Sequence, residues 1–126
     1  MKRIIAAAAI AVFLIAACLT DYFYIKNSYN SFTNDIAECV NALEQNNITE
    51  ARARAEKLQG KWKKREKALA IFVNHNIIDE IDTAIIQLIP YLDSKNYGLC
   101  VAQCAVIKLK LTQMREDSTA NLHSIL

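Results

Sequence analysis

The chain opens with an uninterrupted apolar run from Ile4 to Leu19, preceded by Lys2 and Arg3 and followed by Thr20 and Asp21. As a helix this run reaches about 24 Å, slightly short of a hydrocarbon core of about 30 Å. Tyr22, Phe23 and Tyr24 extend it with rings suited to a lipid–water boundary. No charge interrupts it, so the pattern predicts a membrane span rather than a soluble core helix. Past Asp21 the pattern becomes periodic. From Tyr29 onward Phe32, Ile36, Cys39, Val40 and Leu43 recur at three- and four-residue spacing, predicting an amphipathic helix continuous with the span. Asn46-Asn47 supplies a turn, Thr49 is the expected N-cap of a second helix, and Glu50 suits its first turn. That helix presents Ala51, Ala55, Leu58, Trp62 and Leu69 on one stripe. A third follows Asn74-His75-Asn76 with Ile78, Ile81, Ile85, Leu88 or Ile89, and Leu92; it kinks at Pro90 and continues to Asp93. A fourth follows Lys95-Asn96 and carries Cys100, Cys104, Ile107, Leu111 and Met114. From Glu116 the pattern fades toward Ser124-Ile125-Leu126. The expected division is a transmembrane signal anchor over 1–25, a helical domain over 26–115 and a C-terminal tail over 116–126.

An internal echo refines the fold. Asn47-Ile48-Thr49-Glu50-Ala51, then Ala55 and Leu58, recurs 49 residues later as Asn96-Tyr97-Gly98-Leu99-Cys100, then Cys104 and Ile107. Small residues one turn apart let two helices approach closely, as in helix-turn-helix repeats. The expectation is therefore an all-α protein: an N-terminal transmembrane helix, then a small antiparallel four-helix bundle of two tetratricopeptide-like αα-hairpins. Two glycines and one proline in 126 residues leave too little punctuation for a strand-rich fold.

Charge bears on address more than on partners. A net charge of +2 is too small to argue for nucleic acid. Lys2 and Arg3 precede the span, whereas Asp21, Lys26 and Asp35 after it sum to −1. The positive-inside preference then gives a single-pass protein of the cell membrane, N-terminus cytoplasmic and domain extracytoplasmic. Two alternatives share that destination. Ile15-Ala16-Ala17-Cys18 fits a lipobox, which would make Cys18 a lipidation site, although Leu19 after it is unusual. Ordinary secretion is the other, with no convincing cleavage site leading into a polar mature end.

Cys100 and Cys104 lie one turn apart, which is half of a tetrahedral metal site; Cys39 is a possible third ligand, and His75 and His123 have no ligand spacing. They also occupy the echo positions of Ala51 and Ala55, where a small packing residue is wanted, and free cysteine behaves as one. Packing is favoured over a disulfide from Cys39, and both over metal; no cofactor is expected. His75 with Asp79, Glu80 and Asp82 nearby invites an acid–base reading. Asn76 as cap of the third helix, with Asp79 reaching back, accounts for the same residues structurally. With no nucleophile motif and no glycine loop, an enzyme is not expected.

The stretch from Arg52 to Lys67 holds eight basic residues against Glu56 and Glu66. Lys61, Lys63, Lys64, Arg65 and Lys67 are candidate contacts to an anionic lipid or wall polymer, weighed against an ordinary solvated helix face. Trp62, Phe72, Tyr91 and Tyr97, where exposed, are candidate contacts to a protein partner, since aromatics dominate interface anchors.

The segment WKKREKALAIFVNHNIIDEID from Trp62 to Asp82 resembles the domain-of-unknown-function 4363 family. The resemblance extends over the Lys-Arg start and span, the turn from Asn47 to Ala51, the run Phe72-Val73-Asn74-His75, Ile78-Asp79 and the apolar end Ile125-Leu126. It implies a small bacterial protein with an N-terminal span and a helical remainder, and no assigned activity. The chain departs from the family pattern at Ile77, where an acidic residue is implied, and at Pro90 within a usually unbroken helix. The expectation is a membrane-anchored interaction or scaffold module whose partners are the membrane and another membrane or envelope protein. Its alternatives are an envelope-surface binding lipoprotein and, behind that, a cysteine-based metal or redox module.

Overall fold

The structure, a computed structural model, describes residues 1–125, with side chains described through residue 118. It is all-α. One long N-terminal helix, α1 (Lys2–Glu44), packs with α2 (Ile48–Phe72), a broken helix α3 (His75–Ile86) and α4 (Leu88–Asp93), and α5 (Tyr97–Ile125). The apolar run and the first bundle helix are one rod of 43 residues, with no joint near residue 25. An 18-residue window of it has mean hydropathy 2.4 and is buried nowhere in the molecule. Residues 4–17 project clear of the bundle, and the helix that carries them is long and apolar enough to cross a membrane. From Ile25 onward the same helix turns one face inward: Ile25, Phe32, Ile36, Cys39 and Leu43 are buried. The change from all-round exposure to one-sided burial follows the change from a continuous to a periodic apolar pattern.

The periodic stripes of the other helices also point inward. Ala51, Ala55, Leu58, Trp62 and Leu69 of α2, Ile78, Ile81 and Ile85 of α3, Leu88 and Leu92 of α4, and Cys100, Cys104, Ile107, Leu111 and Met114 of α5 form one core. Trp62 sits edge-on to Phe32 at 5.7 Å between ring centroids, and its Nε1–H donates to Asp82 Oδ1 at 3.1 Å.

Two of the three helix junctions share one design. After α1, Asn46 takes a left-handed φ of 57°, its N–H reaches Leu43 O, and the Asn47 N–H reaches Ala42 O at 2.9 Å. After α4, Lys95 takes a φ of 61°, its N–H reaches Leu92 O, and the Asn96 N–H reaches Tyr91 O at 3.2 Å. Both are Schellman closures, in which a left-handed residue turns the chain back onto the last free carbonyls. The asparagine that follows then caps the next helix. Asn47 Oδ1 accepts from the Glu50 N–H at 3.2 Å, and Asn96 Oδ1 accepts from the Leu99 N–H at 3.3 Å. Asn47 therefore caps α2, not Thr49, which is already its second residue. At the remaining junction Val73 is extended, and Asn74 Oδ1 accepts from the Asn76 N–H at 2.9 Å. Asn74, not Asn76, caps α3, because it holds the extended backbone that a cap requires.

Pro90 acts as expected. It cannot donate to Ile86, the last residue of α3, so the helix breaks at Gln87 and resumes through Asp93. The fading pattern beyond Glu116 does not end the last helix: helical backbone continues to Ile125. The side chains of His123 and Ile125, and all of Leu126, lie outside the described residues.

Candidate interaction surfaces

The α1–α2 contact carries a polar seam within an otherwise apolar interface. Asp35 is only 2% exposed, and Lys61 Nζ donates to its Oδ2 at 2.7 Å and to Ser31 Oγ at 2.6 Å. Lys57 Nζ stands 4.0 Å from the other Asp35 oxygen. One turn on, Arg65 Nη1 donates to the buried Ser28 Oγ at 3.1 Å while its guanidinium lies 5.8 Å from the centre of the Phe32 ring. Arg54 pairs with Glu38 and Glu50 above the seam. A lysine and an arginine on α2 reach inward because α1 offers a buried carboxylate and two hydroxyls at matching heights. The basic stretch therefore divides. Lys61 and Arg65 belong to the seam, whereas Lys63, Lys64 and Lys67 are exposed.

The three domain cysteines gather where α1 meets α5, and all three are buried. The Cys39 thiol lies 3.5 Å from Ala51 O. The hydrogen bond it shares with Cys39, followed by burial, pushes the Cys104 thiol well above the ordinary range; burial raises Cys100 too. The same hydrogen bond from Cys104 shifts the Cys39 thiol downward against the effect of its burial. Of the three, only Cys100 and Cys104 are thiols held protonated, which are poor nucleophiles and poor metal ligands. Among the described residues no three His, Cys, Asp or Glu side chains are arranged to hold a metal ion. Cys18 is half-exposed on the projecting part of α1.

His75 is the exposed first residue of α3. A cleft of about 350 Å³ between α3 and α5 collects Asp79, Glu80, Thr83, Gln87, Gln103 and Lys110, without His75. Gln103 bridges it, its Nε2 donating to Ala84 O at 2.8 Å and to Gln87 Oε1 at 3.2 Å. Glu66 lies near Asp82, and burial followed by repulsion from that carboxylate raises its acid group above the usual range.

The aromatic residues proposed as partner contacts are mostly turned inward. Trp62 is 1% exposed, so it is corrected from an interface candidate to a core anchor. Its ring fills the space between α1 and α2, and its one polar atom is satisfied by Asp82. Phe72, Tyr91 and Tyr97 are half-buried against the same core.

A stripe of exposed apolar side chains lies elsewhere, on the outer side of α5. Leu99, Val101, Val106 and Leu109 are 40%, 37%, 39% and 59% exposed, and Ala102 and Ala105 are exposed beside them. Leu99, Ala102, Val106 and Leu109 follow alternating spacings of three and four, a single stripe opposite the buried one. Two clefts flank this ridge: the α3–α5 cleft, which includes Val106, and an α1–α5 cleft of about 360 Å³ lined by Thr33, Ile36, Ala37, Val40, Val101 and Ala105. The segment YGLCVAQCAVIKLKL holds both stripes, so an apolar pattern on two faces of one helix is the signal that would have found the site.

A family model described as domain of unknown function (DUF4363) matches residues 19–125, from the end of the apolar run onward. The protein is a membrane-associated, mostly helical member of that family. No curated protein and no solved structure matches the chain.

Proposed function

We propose that this protein is a non-catalytic interaction module, tethered by α1 as an uncleaved signal anchor, with its N-terminus in the cytoplasm and its bundle outside. Lys2 and Arg3 ahead of the apolar run support that orientation. The bundle reads as two tetratricopeptide-like αα-hairpins, α1–α2 and α3/α4–α5, on the strength of their matched Schellman closures and asparagine caps. Its binding face is the outer side of α5, and its partner is an apolar helix of another membrane or envelope protein seated along the ridge. One observation carries this reading. Helix α5 is apolar on both its buried and its exposed side, and a helix of that kind is normally covered. A patch of this sort on a small domain marks an interaction site more often than a solvated surface.

The test is site-specific photocrosslinking in native membranes, with the probe at Leu109 or, for comparison, at Lys57 on the polar face of α2. A discrete adduct from position 109 alone, reduced at least tenfold by Val106→Asp, is the expected result. Equal labelling from both positions, or adducts indifferent to Val106→Asp, would remove the ridge as a binding face.

A further inference from the structure

The α1–α2 register places one corner of the domain against the bilayer that holds its own anchor. Three contacts set that register: Arg54 with Glu38, Lys61 with Ser31, and Arg65 with Ser28. Each antiparallel step down α2 is a step down α1. Continued at the same spacing, the register sets Lys64 level with residues 28–29 of α1, Lys67 with residues 25–26, and Ile71 with residues 21–22. Asp21 is the first charge after the apolar run and Tyr22 to Tyr24 are its aromatic border, so this is the height at which α1 leaves the hydrocarbon.

Ile71 is 77% exposed there, the most exposed large apolar residue of the bundle helices among the described residues. Lys64, Lys67 and Ile71 fall on one face at spacings of three and four, and Lys63 flanks them one turn above Lys67. Lys63, Lys64 and Lys67 make no hydrogen bond or salt bridge with another described residue, in contrast to Lys61 and Arg65. At 1.5 Å per residue Lys67 stands about 6–7 Å above Asp21 and Lys64 about 11 Å. The headgroup layer of one leaflet is about 5–7 Å deep, and a lysine stem can lie along apolar surface with its ammonium directed at that layer.

We propose that this corner of α2 is a phospholipid contact site. Ile71 enters the interface of the leaflet from which α1 emerges, and Lys67, Lys64 and Lys63 engage anionic headgroups above it. An isolated exposed isoleucine needs no explanation. One set at the membrane boundary by a register of three contacts, beneath three exposed lysines, has the composition of an interfacial anchor. The consequence is mechanical: a second attachment beside the span stops the bundle swivelling about α1 and fixes which way the α5 ridge faces. The proposal rests on α1 as a membrane span and is independent of any protein partner.

Full-length protein is reconstituted in vesicles of phosphatidylcholine alone or with about a third phosphatidylglycerol, bearing a photoreactive residue at position 71 or at position 57. Lipid adducts are counted by mass spectrometry. Position 71 should give at least tenfold more adduct than position 57 in the anionic vesicles. That yield should fall about tenfold in phosphatidylcholine alone, and similarly on Lys63→Gln, Lys64→Gln and Lys67→Gln combined. The lipid change leaves the chain untouched, so it separates charge from any effect of the substitutions on folding. Equal yields at 71 and 57, or a yield at 71 indifferent to lipid charge, overturns the site. Failure of the chain to float with either vesicle overturns the reading of α1, and this proposal with it.

Discussion

Helices α2 and α5 occupy equivalent places 49 residues apart, and they are alike inside and opposite outside. Ala51, Ala55, Leu58 and Trp62 in α2 correspond to Cys100, Cys104, Ile107 and Leu111 in α5, and all eight are buried. On the outward side α2 carries Glu50, Arg52, Glu56 and Lys57 where α5 carries Leu99, Val101, Ala105 and Val106. One helix pairs its charges at the surface, Arg52 with Glu56 and Asp93, Arg54 with Glu50. The other presents branched aliphatics to water. A shared interior means that the two helices obey the same packing rule. The divergent exteriors separate what the fold needs from what the partner proposed above would need, since nothing in the bundle requires an apolar outside on α5.

The comparison extends to the ion pairs and yields the largest expected effect. Lys61, which holds buried Asp35, is matched 49 residues on by Lys110, which holds Glu80 at 3.0 Å on the surface. Asp35→Ala leaves Lys61 and the Ser31 hydroxyl in a half-closed seam, and should cost about 2–4 kcal/mol. Glu80→Ala should cost no more than about 0.5 kcal/mol, because its carboxylate is more than half exposed. Urea unfolding of the two variants in detergent, followed by helical circular dichroism, measures the difference. Similar losses at both positions would mean that the seam is no more than another surface pair.

The stripes of α1 to α5 were legible because each core position repeats every three or four residues, from Phe32 through Met114, and such positions face one way on any helix. The 49-residue echo was legible for the same reason. The caps were not: Thr49 and Asn47 are both good capping residues, and only the left-handed turn at Asn46 decides which of them precedes the helix. Asp35 read as one charge among several because its partner lies 26 residues away, and no local pattern encodes that pairing. Trp62 stood on the apolar stripe and was a candidate contact only where exposed, since its ring suits both settings and its fit against Phe32 is what distinguishes them. The α5 ridge was missed because a search for one apolar stripe stops when it finds Cys100, Cys104 and Ile107.

The two closures should respond in parallel, at a smaller scale. Asn47→Ala and Asn96→Ala each remove the acceptor for one helix-start N–H, and each should lower stability by about 1 kcal/mol. The preceding left-handed residues should differ. Lys95 bears a long side chain at a φ of 61°, so Lys95→Gly relieves strain and should stabilise by about 0.5–1 kcal/mol. Asn46 already tolerates that conformation, and Asn46→Gly should gain only about 0.3 kcal/mol. Melting temperatures of the four variants in one detergent would rank them. A destabilising Lys95→Gly would show that the Lys95 side chain holds the second junction in a way the first junction has no need of.

The smallest effect separates the helices by pH. Position 66 of α2 carries a glutamate where its α5 equivalent is Arg115, which stacks on Tyr29 at 4.4 Å. Burial, and then repulsion from Asp82, raises the Glu66 carboxyl above its usual value. The folded chain thus binds that proton more tightly than the unfolded chain does. The stability from this linkage is present in full below the unfolded value near 4.5 and is lost as pH rises through the raised folded value. At neutral pH an ionised Glu66 is therefore a small burden, and Glu66→Gln should stabilise by less than about 1 kcal/mol, since the group is only half-buried. The gain should shrink as pH falls toward 4 and vanish below it. Paired melts of wild type and variant from pH 4 to pH 7 isolate this group, because all other titrations cancel in the difference. A gap that stays constant over that range would mean that neither burial nor Asp82 raises the Glu66 carboxyl in the folded bundle.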